Sequence, residues 1–429
     1  MEKTHPKILI IGETFRKNGG GGITLINLFK QFPKENVAII TNDIVNSDPD
    51  LCDNYYQIGY DEKQFIWPLN QFQTKFKSGP YIFDRKKKAE SNSSGTNESS
   101  IIKSTFKKIT KKFELDNVLI SRPKLSKTLI NWISDFKPDT IYCQPTSLFN
   151  MQLTYSIHVK LGYEYSIHFM DNNIVSLNKR IINLGLRKEF QKILSNAKSL
   201  IAISPAMANG FEKKFNRPFL SFHNPIETEK WKPFVKLNYD YTEVFRVLFT
   251  GRLDFPVENS VRSFCSIISR LNQEKETFKL DIYSLDQDTP LSKEVQQFKG
   301  VTLFKPVAYE QIPMLLSKYD ALLLPLDFSP KSLEYAKYSI STKTSEYMVS
   351  GTPIVVFAPQ ETALSRYARE KKWGYIIDND DFGFVVNKLT DLANDINIRM
   401  NIGQLAVKVA LENHDANVIR KEFIKTIVN

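Results

Sequence analysis

Two apolar runs, Ala321 to Leu326 and Pro353 to Phe357, bracket a hydroxyl-rich stretch from Tyr338 to Ser350. Runs this short and continuous read as buried parallel strands. Parallel neighbours need a crossover, normally helical, so the polar stretch must hold a loop and then a helix. Ligands of open α/β sheets sit beyond the carboxyl ends of strands, and helix N-termini attract anions. Ser339, Ser341, Thr342 and Lys343 fall in that loop, where hydroxyls, an ammonium and backbone N–H groups suit a diphosphate. Glu346 falls one turn inside the helix, where a carboxylate can accept hydrogen bonds from a diol such as ribose. Gly351 sits where a left-handed terminator belongs.

The same alternation runs along both halves of the chain. Lys7 to Thr14 reads as a buried strand, followed by a loop of four glycines, Gly19 to Gly22, and then by Ile23, Leu25, Ile26, Leu28 and Phe29 at helical spacing. Gly21 and Gly22 let the backbone approach a ligand at a helix start. The run is not Gly-x-Gly-x-x-Gly, and Asp43, after a second strand at Val37 to Thr41, is the nearest acidic residue for an adenosine ribose. Further strands are expected at Asp139 to Cys143, Tyr163 to Phe169, Leu200 to Ile203 and Phe219 to Phe222, each ending in polar residues. His168 and Asp171 close one of them; the pattern fits either a cleft histidine that meets a sugar hydroxyl or a satisfied His–Asp pair. Ser204-Pro205 and Asn224-Pro225 are turn formers, the second closing the first half. Glu227 to Tyr241, polar with little apolar periodicity, reads as a linker.

Beyond it, Phe245 to Thr250 is a strand that runs into Gly251-Arg252. Strands at Lys279 to Tyr283, Thr302 to Phe304, Ala321 to Leu326, Pro353 to Phe357 and Gly374 to Ile377 alternate with helices, including Gln311 to Ser317, Glu361 to Lys371 and Phe382 to Ala393. Two helices, Ile396 to Glu412 and Asn417 to Ile427, finish the chain.

A length of 429 residues implies two domains of about 200 residues each. The net charge of +11 favours anionic partners: nucleotide diphosphates, lipid phosphates, membrane surfaces or nucleic acid. Cys52, Cys143 and Cys265 have neither pairing nor metal spacing, which fits a reducing cytosol and no structural zinc. The first residues lack a signal-peptide pattern, and no run reaches the roughly 18 apolar residues of a membrane span. From 71 to 112 the chain is basic and polar. At 101–113, Ile102, Phe106, Ile109 and Phe113 form one helical stripe opposite five lysines, which suits an anionic membrane surface or a helix packed on its own domain.

The segment Lys343-x-x-Glu346-Tyr347-Met348-x-x-Gly351-x-Pro353-Ile354-Val355 resembles the donor-site segment of GT-B glycosyltransferases, in particular the retaining enzymes of family 4. The resemblance implies an α/β fold of two doubly wound Rossmann-like domains facing across a cleft, with the last helix returning to the N-terminal domain. It implies domains at 1–232, with 71–112 as an insertion, and 233–412, then a crossing helix at 413–429. Glu346 matches the carboxylate that holds the nucleotide ribose. The first carboxylate of the family's Glu-x7-Glu pair falls at Tyr338, with Glu334 nearby and out of register. Arg252 matches the arginine that contacts the donor diphosphate; the lysine that normally follows is absent, and Lys343 supplies the second positive charge. Gly21 and Gly22 match the loop near the donor phosphates. His168 matches a histidine facing the transferred sugar, with Asp171 a candidate contact beside it.

The implied activity is sugar transfer from a nucleotide-diphosphate sugar to a glycan or lipid-linked acceptor, with retention, in surface polysaccharide assembly at the inner face of a membrane. The implied catalytic residues are His168, Arg252 and Lys343. No metal or other cofactor is expected, and no nucleic-acid partner. A catalytically inactive GT-B scaffold is the competing reading, kept open by Tyr338 and by the missing lysine.

Overall fold

The computed structural model describes residues 5–16, 20–42, 44, 47–48, 50–64, 76–82, 122–172 and 184–428. The helix expected at 101–113, most of 71–112, Gly19 and Asp43 lie outside them. The chain divides into two compact units, one of residues 1–202, 211–221 and 422–429, the other of residues 203–210 and 222–421.

The first unit is built on an eight-stranded sheet. Its strands are β1 (Ile8–Gly12), β2 (Val37–Thr41), β3 (Asn54–Gln57), β5 (Gly79–Tyr81), β7 (Thr140–Gln144), β8 (Tyr165–Phe169), β9 (Ser199–Ala202) and β10 (Leu220–Ser221), in the order β10-β9-β8-β7-β1-β2-β3-β5. Two short strands, β4 (Lys63–Gln64) and β6 (Arg122–Pro123), pair apart from it. All neighbours in the large sheet are parallel except β3 and β5. Every residue of β1, β2, β7 and β8 is buried; β1 and β2 are accordingly near-continuous apolar runs, while β7 and β8 bury Thr140, Gln144, Ser166 and His168 as well. Strand order reverses between β1 and β7, so the loops after those two strands diverge and leave a crevice.

Expected as a loop, the glycine run instead opens the helix Gly20–Phe29. The reason is contact rather than mobility. A β-carbon on Gly21 would lie 2.6 Å from Glu13 Oε2, and one on Gly22 would lie 2.4 Å from the Arg16 carbonyl oxygen. Only hydrogen fits there, so the helix can begin against the end of β1.

The last helix, Ala416–Val428, does return to the first unit, to which residues 422–429 belong. Phe423 is fully buried, with its ring centroid 5.7 Å from Phe29 and 5.2 Å from Tyr142. Lys198 Nζ donates to the Val428 carbonyl at 2.7 Å, and Ser199 Oγ to that of Thr426 at 3.0 Å.

The second unit holds a six-stranded parallel sheet of β11 (Phe245–Thr250), β12 (Phe278–Tyr283), β13 (Val301–Phe304), β14 (Ala321–Pro325), β15 (Ile354–Phe357) and β16 (Tyr375–Ile377). Its order, β13-β12-β11-β14-β15-β16, is the doubly wound dinucleotide-fold order, with the reversal between β11 and β14. One core face gathers Val247, Phe249, Phe264, Leu280, Ile282 and Phe357. The other gathers Leu248, Leu322, Tyr347, Met348, Val356 and Trp373. Each such buried side chain contributes about 1.5–3 kcal/mol.

Glu227 to Tyr241 does not behave as a linker. Trp231 is buried in the second unit's core, the Lys236 N–H donates to the Ser350 carbonyl at 2.8 Å, and Tyr239 Oη donates to that of Gly351 at 3.2 Å. Asn224 to Ile226 likewise sits with the second unit rather than closing the first, because Ile226 bridges in parallel to Asp415. The compact unit accordingly resumes at Phe222, ahead of the boundary expected near 232. Arg399, 4% exposed, fastens this segment by donating to the carbonyls of Tyr239, Leu392 and Ala393.

All three cysteines are buried, and burial pushes the Cys52 and Cys143 thiols up to about 12 and raises that of Cys265 as well.

Candidate active site

The loops that leave β11 and β14 meet at the reversal point of the second sheet. The first carries Gly251 and Arg252. The second runs through the helix Pro330–Ala336 and the 337–342 turn into the helix Lys343–Ser350. Tyr347, fully buried, ties the two together: its phenol oxygen accepts from the Thr250 N–H at 3.0 Å and shares a hydrogen bond with Thr250 Oγ1, also 3.0 Å. Gly251 makes the approach closer still. A β-carbon there would lie 2.6 Å from Lys343 Nζ, so any larger residue would displace the ammonium. The Lys343 amine also lies 5.9 Å from the centre of the Phe249 ring.

Lys343 and Glu346 are half-buried on adjacent turns of one helix. Burial lowers the Lys343 ammonium, while Glu346 and Asp254 pull it back up. Burial pushes the Glu346 carboxyl up to about 7, against the opposing pull of a hydrogen bond from Tyr309 and the charge of Lys343. The Tyr309 phenol is raised in turn, first by burial and then by Glu346. A carboxylate and an ammonium that both resist ionisation are poised for a ligand that supplies diol donors to one and negative charge to the other.

The turn before the helix and the helix's first turn add buried polar atoms. Ser339 Oγ and Thr344 Oγ1 are buried and have no hydrogen-bond partner, a state that normally marks a site for something else. Ser341, which is exposed, accepts from the Lys343 N–H at 3.4 Å, and the Thr342 carbonyl accepts from Ser345 Oγ at 3.1 Å. The helix ends at Gly351, whose φ of 72° is left-handed, as expected.

Arg252 is 70% exposed and pairs with Asp254 at 3.1 Å and, more distantly, Asp286 at 3.9 Å. An exposed pair of this kind is weak, so the guanidinium can exchange carboxylate for phosphate at little cost. Arg252, Lys343, Glu346 and the 339–342 turn therefore form one constellation in the second unit. Tyr309 and Asp254 belong to it and escaped sequence reasoning, and Tyr347, quoted there only as part of the donor-site segment, belongs to it too. Tyr309 and Asp254 carry no motif, and Tyr347 reads as an ordinary core aromatic.

Tyr338, where the resemblance places a first carboxylate, lies on Gly210: a β-carbon there would stand 2.7 Å from the Tyr338 ring. Glu334 is half-buried in the helix Pro330–Ala336.

The remaining expected residues lie in the first unit. Gly21 and Gly22 stand in the first turn of their helix, with their α-carbons covered by Glu13, Gln144 and Arg16 as described above. Glu13, 5% exposed, accepts from the Thr14 N–H at 3.0 Å and holds Arg16 through both carboxylate oxygens. Asp171 is half-buried just beyond β8.

The structure places His168, expected as a catalytic residue, in the interior of the first unit. It lies inside β8, is 1% exposed, shares a 2.8 Å hydrogen bond between Nδ1 and the Tyr142 phenol, and has its ring 6.1 Å from Phe423. Burial pushes the imidazole down to about 3, so it is neutral. The last helix covers it, which no local pattern around position 168 announces.

Among the described residues no group of three or more His, Cys, Asp or Glu side chains is placed to hold a metal ion, and no helix is long and apolar enough to cross a membrane.

Residues 244–395 match the family model described as Glycosyl transferases group 1. Comparison with curated protein sequences gives no match. Among solved structures, a glycosyltransferase from Rickettsia africae superposes with a TM-score of 0.61 at 10% identity, covering 98% of each chain. Anabaena Alr3699/HepE, in complex with UDP and glucose, superposes with a TM-score of 0.59 at 13% identity, over 98% of this chain and 99% of its own. Sucrose-phosphate synthase from Thermosynechococcus elongatus gives 0.60 at 12% identity, over 98% of each chain. Identities this low speak for the fold, and the family match speaks for the domain that holds the constellation above. The chain has the GT-B fold and, with a glycosyl transferases group 1 domain over residues 244–395, it is a glycosyltransferase.

Proposed function

We propose that the protein transfers a sugar from a nucleotide-diphosphate sugar to a glycan or lipid-linked acceptor, with retention of configuration, in surface polysaccharide assembly. One observation carries the reading: Lys343 and Glu346, three residues apart on one helix at the sheet's reversal point, are both penalised by burial in their charged forms, and the same segment holds the buried, unpartnered hydroxyls of Ser339 and Thr344. A nucleoside diphosphate meets each need. Its ribose diol donates to the Glu346 carboxylate, and its phosphates offer charge to Lys343 and Arg252 and acceptors to Ser339 and Thr344.

Chemistry follows from the same placement. As the glycosidic C–O bond to the diphosphate breaks, negative charge grows on the departing oxygen, and Arg252 and Lys343 stabilise it where it develops. In the retaining course proposed, the departing phosphate accepts the acceptor's proton on the face from which it leaves. The first unit, with Asp171 a candidate contact, is assigned to the acceptor, and Gly21 and Gly22 keep their expected place near the donor phosphates. We further propose that the protein works in the cytoplasm against the inner membrane face, an assignment resting on the net charge of +11 and the basic segment around 101–113. No metal or other cofactor takes part in this proposal.

The test is a thermal-shift screen of the purified protein against UDP, GDP, ADP, CMP and their sugar conjugates, with Lys343→Ala and Glu346→Ala alongside. UDP comes first, because Anabaena HepE was solved with it. A diphosphate at 100 times its dissociation constant adds about 2.7 kcal/mol to native stability. A rise in Tm with one nucleotide, lost in both variants, supports the donor site. No rise with any nucleotide in a folded sample refutes it.

A further inference from the structure

The donor turn begins directly after Tyr338, and that residue is held through both its backbone and its ring. The Tyr338 carbonyl accepts from Ser204 Oγ at 2.9 Å, and the same hydroxyl accepts from the Met207 N–H at 3.1 Å. Ser204 thus caps the helix Pro205–Phe215 and grips the turn with one side chain. The Tyr338 ring lies against Gly210 of that helix, where a β-carbon would stand 2.7 Å from Cε1, 2.8 Å from Cζ and 3.2 Å from the phenol oxygen. On the other flank, the Lys337 carbonyl accepts from the Ala363 N–H at 2.9 Å, and Ile340, 7% exposed, is sunk in the core. Residues 337–340 are therefore fixed from three sides, and Ser339, Ser341, Thr342 and Lys343 are presented from that fixed base.

We propose that Gly210 and Tyr338 form a positioning contact that sets the donor turn. The glycine lets the ring lie on the helix, and the ring fixes the height at which Ser339 and the first turn of Lys343–Ser350 meet the diphosphate. Neither residue touches the ligand; both act through the turn. The inference rests on the donor-site reading above and extends it to a residue distant in sequence. Gly210 is also the last residue of the 203–210 segment of the second unit, and the helix runs on as Phe211–Phe215 in the first.

The experiment is a double-mutant cycle read by UDP affinity, with donor KM, kcat and Tm measured in parallel. Gly210→Ala forces the ring to move by several tenths of an ångström, and a misplacement of that size is expected to weaken UDP binding about tenfold. Its Tm should change little, because alanine is otherwise the better helix former. In a Tyr338→Ala background, and again in Tyr338→Leu in case the smaller residue leaves the turn unfolded, Gly210→Ala should change UDP affinity less than about twofold. Wild-type affinity in Gly210→Ala overturns the inference, as does an undiminished loss in both backgrounds. If wild type binds UDP and the cycle shows no coupling, the inference alone fails. If wild type binds no nucleoside diphosphate, the donor-site reading fails and takes the inference with it.

Discussion

Replacing Glu346 by Gln should make the ligand-free protein more stable and the donor site worse. Burial raises this carboxyl from an ordinary 4.5 to about 7, so the native state holds its proton more tightly than the unfolded chain does. The sign follows from linkage: with more protons bound in the native state, stability falls as pH rises from about 4.5 to about 7 and is flat above. At about 1.4 kcal/mol per pH unit, ionised Glu346 costs the second domain roughly 3 kcal/mol at pH 8. Glutamine keeps the shape and can still accept from Tyr309, and it removes that cost. Part of the gain is lost again, because Lys343 forfeits the charge that supports its ammonium. A net gain of about 2 kcal/mol should raise the Tm of a domain this size by about 4–8 °C at pH 8. At pH 5 the gap should shrink to a degree or two. Calorimetric scans of both proteins from pH 5 to 8.5 test this, with UDP titrated at each pH. Wild type should also release part of a proton on binding UDP near pH 7, seen as a buffer-dependent heat, and Glu346→Gln should not. A Tm difference independent of pH, or a Glu346→Gln protein less stable than wild type at pH 8, refutes the assignment of a buried, proton-holding carboxyl.

Two further outcomes test the fold. His168 and His223 are pushed down to about 3 and His414 to about 4, in each case first by burial, so each stays neutral in the native state and gains a proton on unfolding. Stability should therefore be intact above pH 6.5 and drop as pH falls below it, by up to about 1.4 kcal/mol per unit for each imidazole; a Tm flat from pH 6.5 to 4.5 contradicts this. Phe423→Ala empties a site lined by Phe29, Tyr142 and His168 and should destabilise the first domain by about 3–5 kcal/mol, with the second domain's transition unmoved in the same scan.

The second domain was the more legible half. Strands β14 and β15 are continuous apolar runs with every residue buried, β11 is interrupted only by Arg246 before its end, and polar ends mark where each stops, so Phe245–Thr250, Ala321–Pro325 and Ile354–Phe357 could be placed to within a residue. The Lys343 to Glu346 spacing is local, because the helix itself sets the distance. What escaped depends on partners far along the chain. The glycine run looks mobile until Glu13 and Arg16 are seen to need its bare α-carbons. The segment Glu227 to Tyr241 looks like a tether until Gly351 and Arg399 hold it. His168 looks like a cleft residue until Phe423 covers it. Strand β3, Asn54–Gln57, has polar ends and only two buried tyrosines between them, too little to announce a strand.

The sealed cysteines have a practical consequence. Cys52 and Cys143 belong to the first unit and Cys265 to the second, and no thiol is offered to solvent in the native state. An alkylating reagent can reach any of them only when the surrounding structure opens. The wild-type molecule thus carries its own reporters, two on one domain and one on the other. The order in which they become labelled in mild denaturant, read by mass spectrometry of the peptides, gives the order in which the domains come apart.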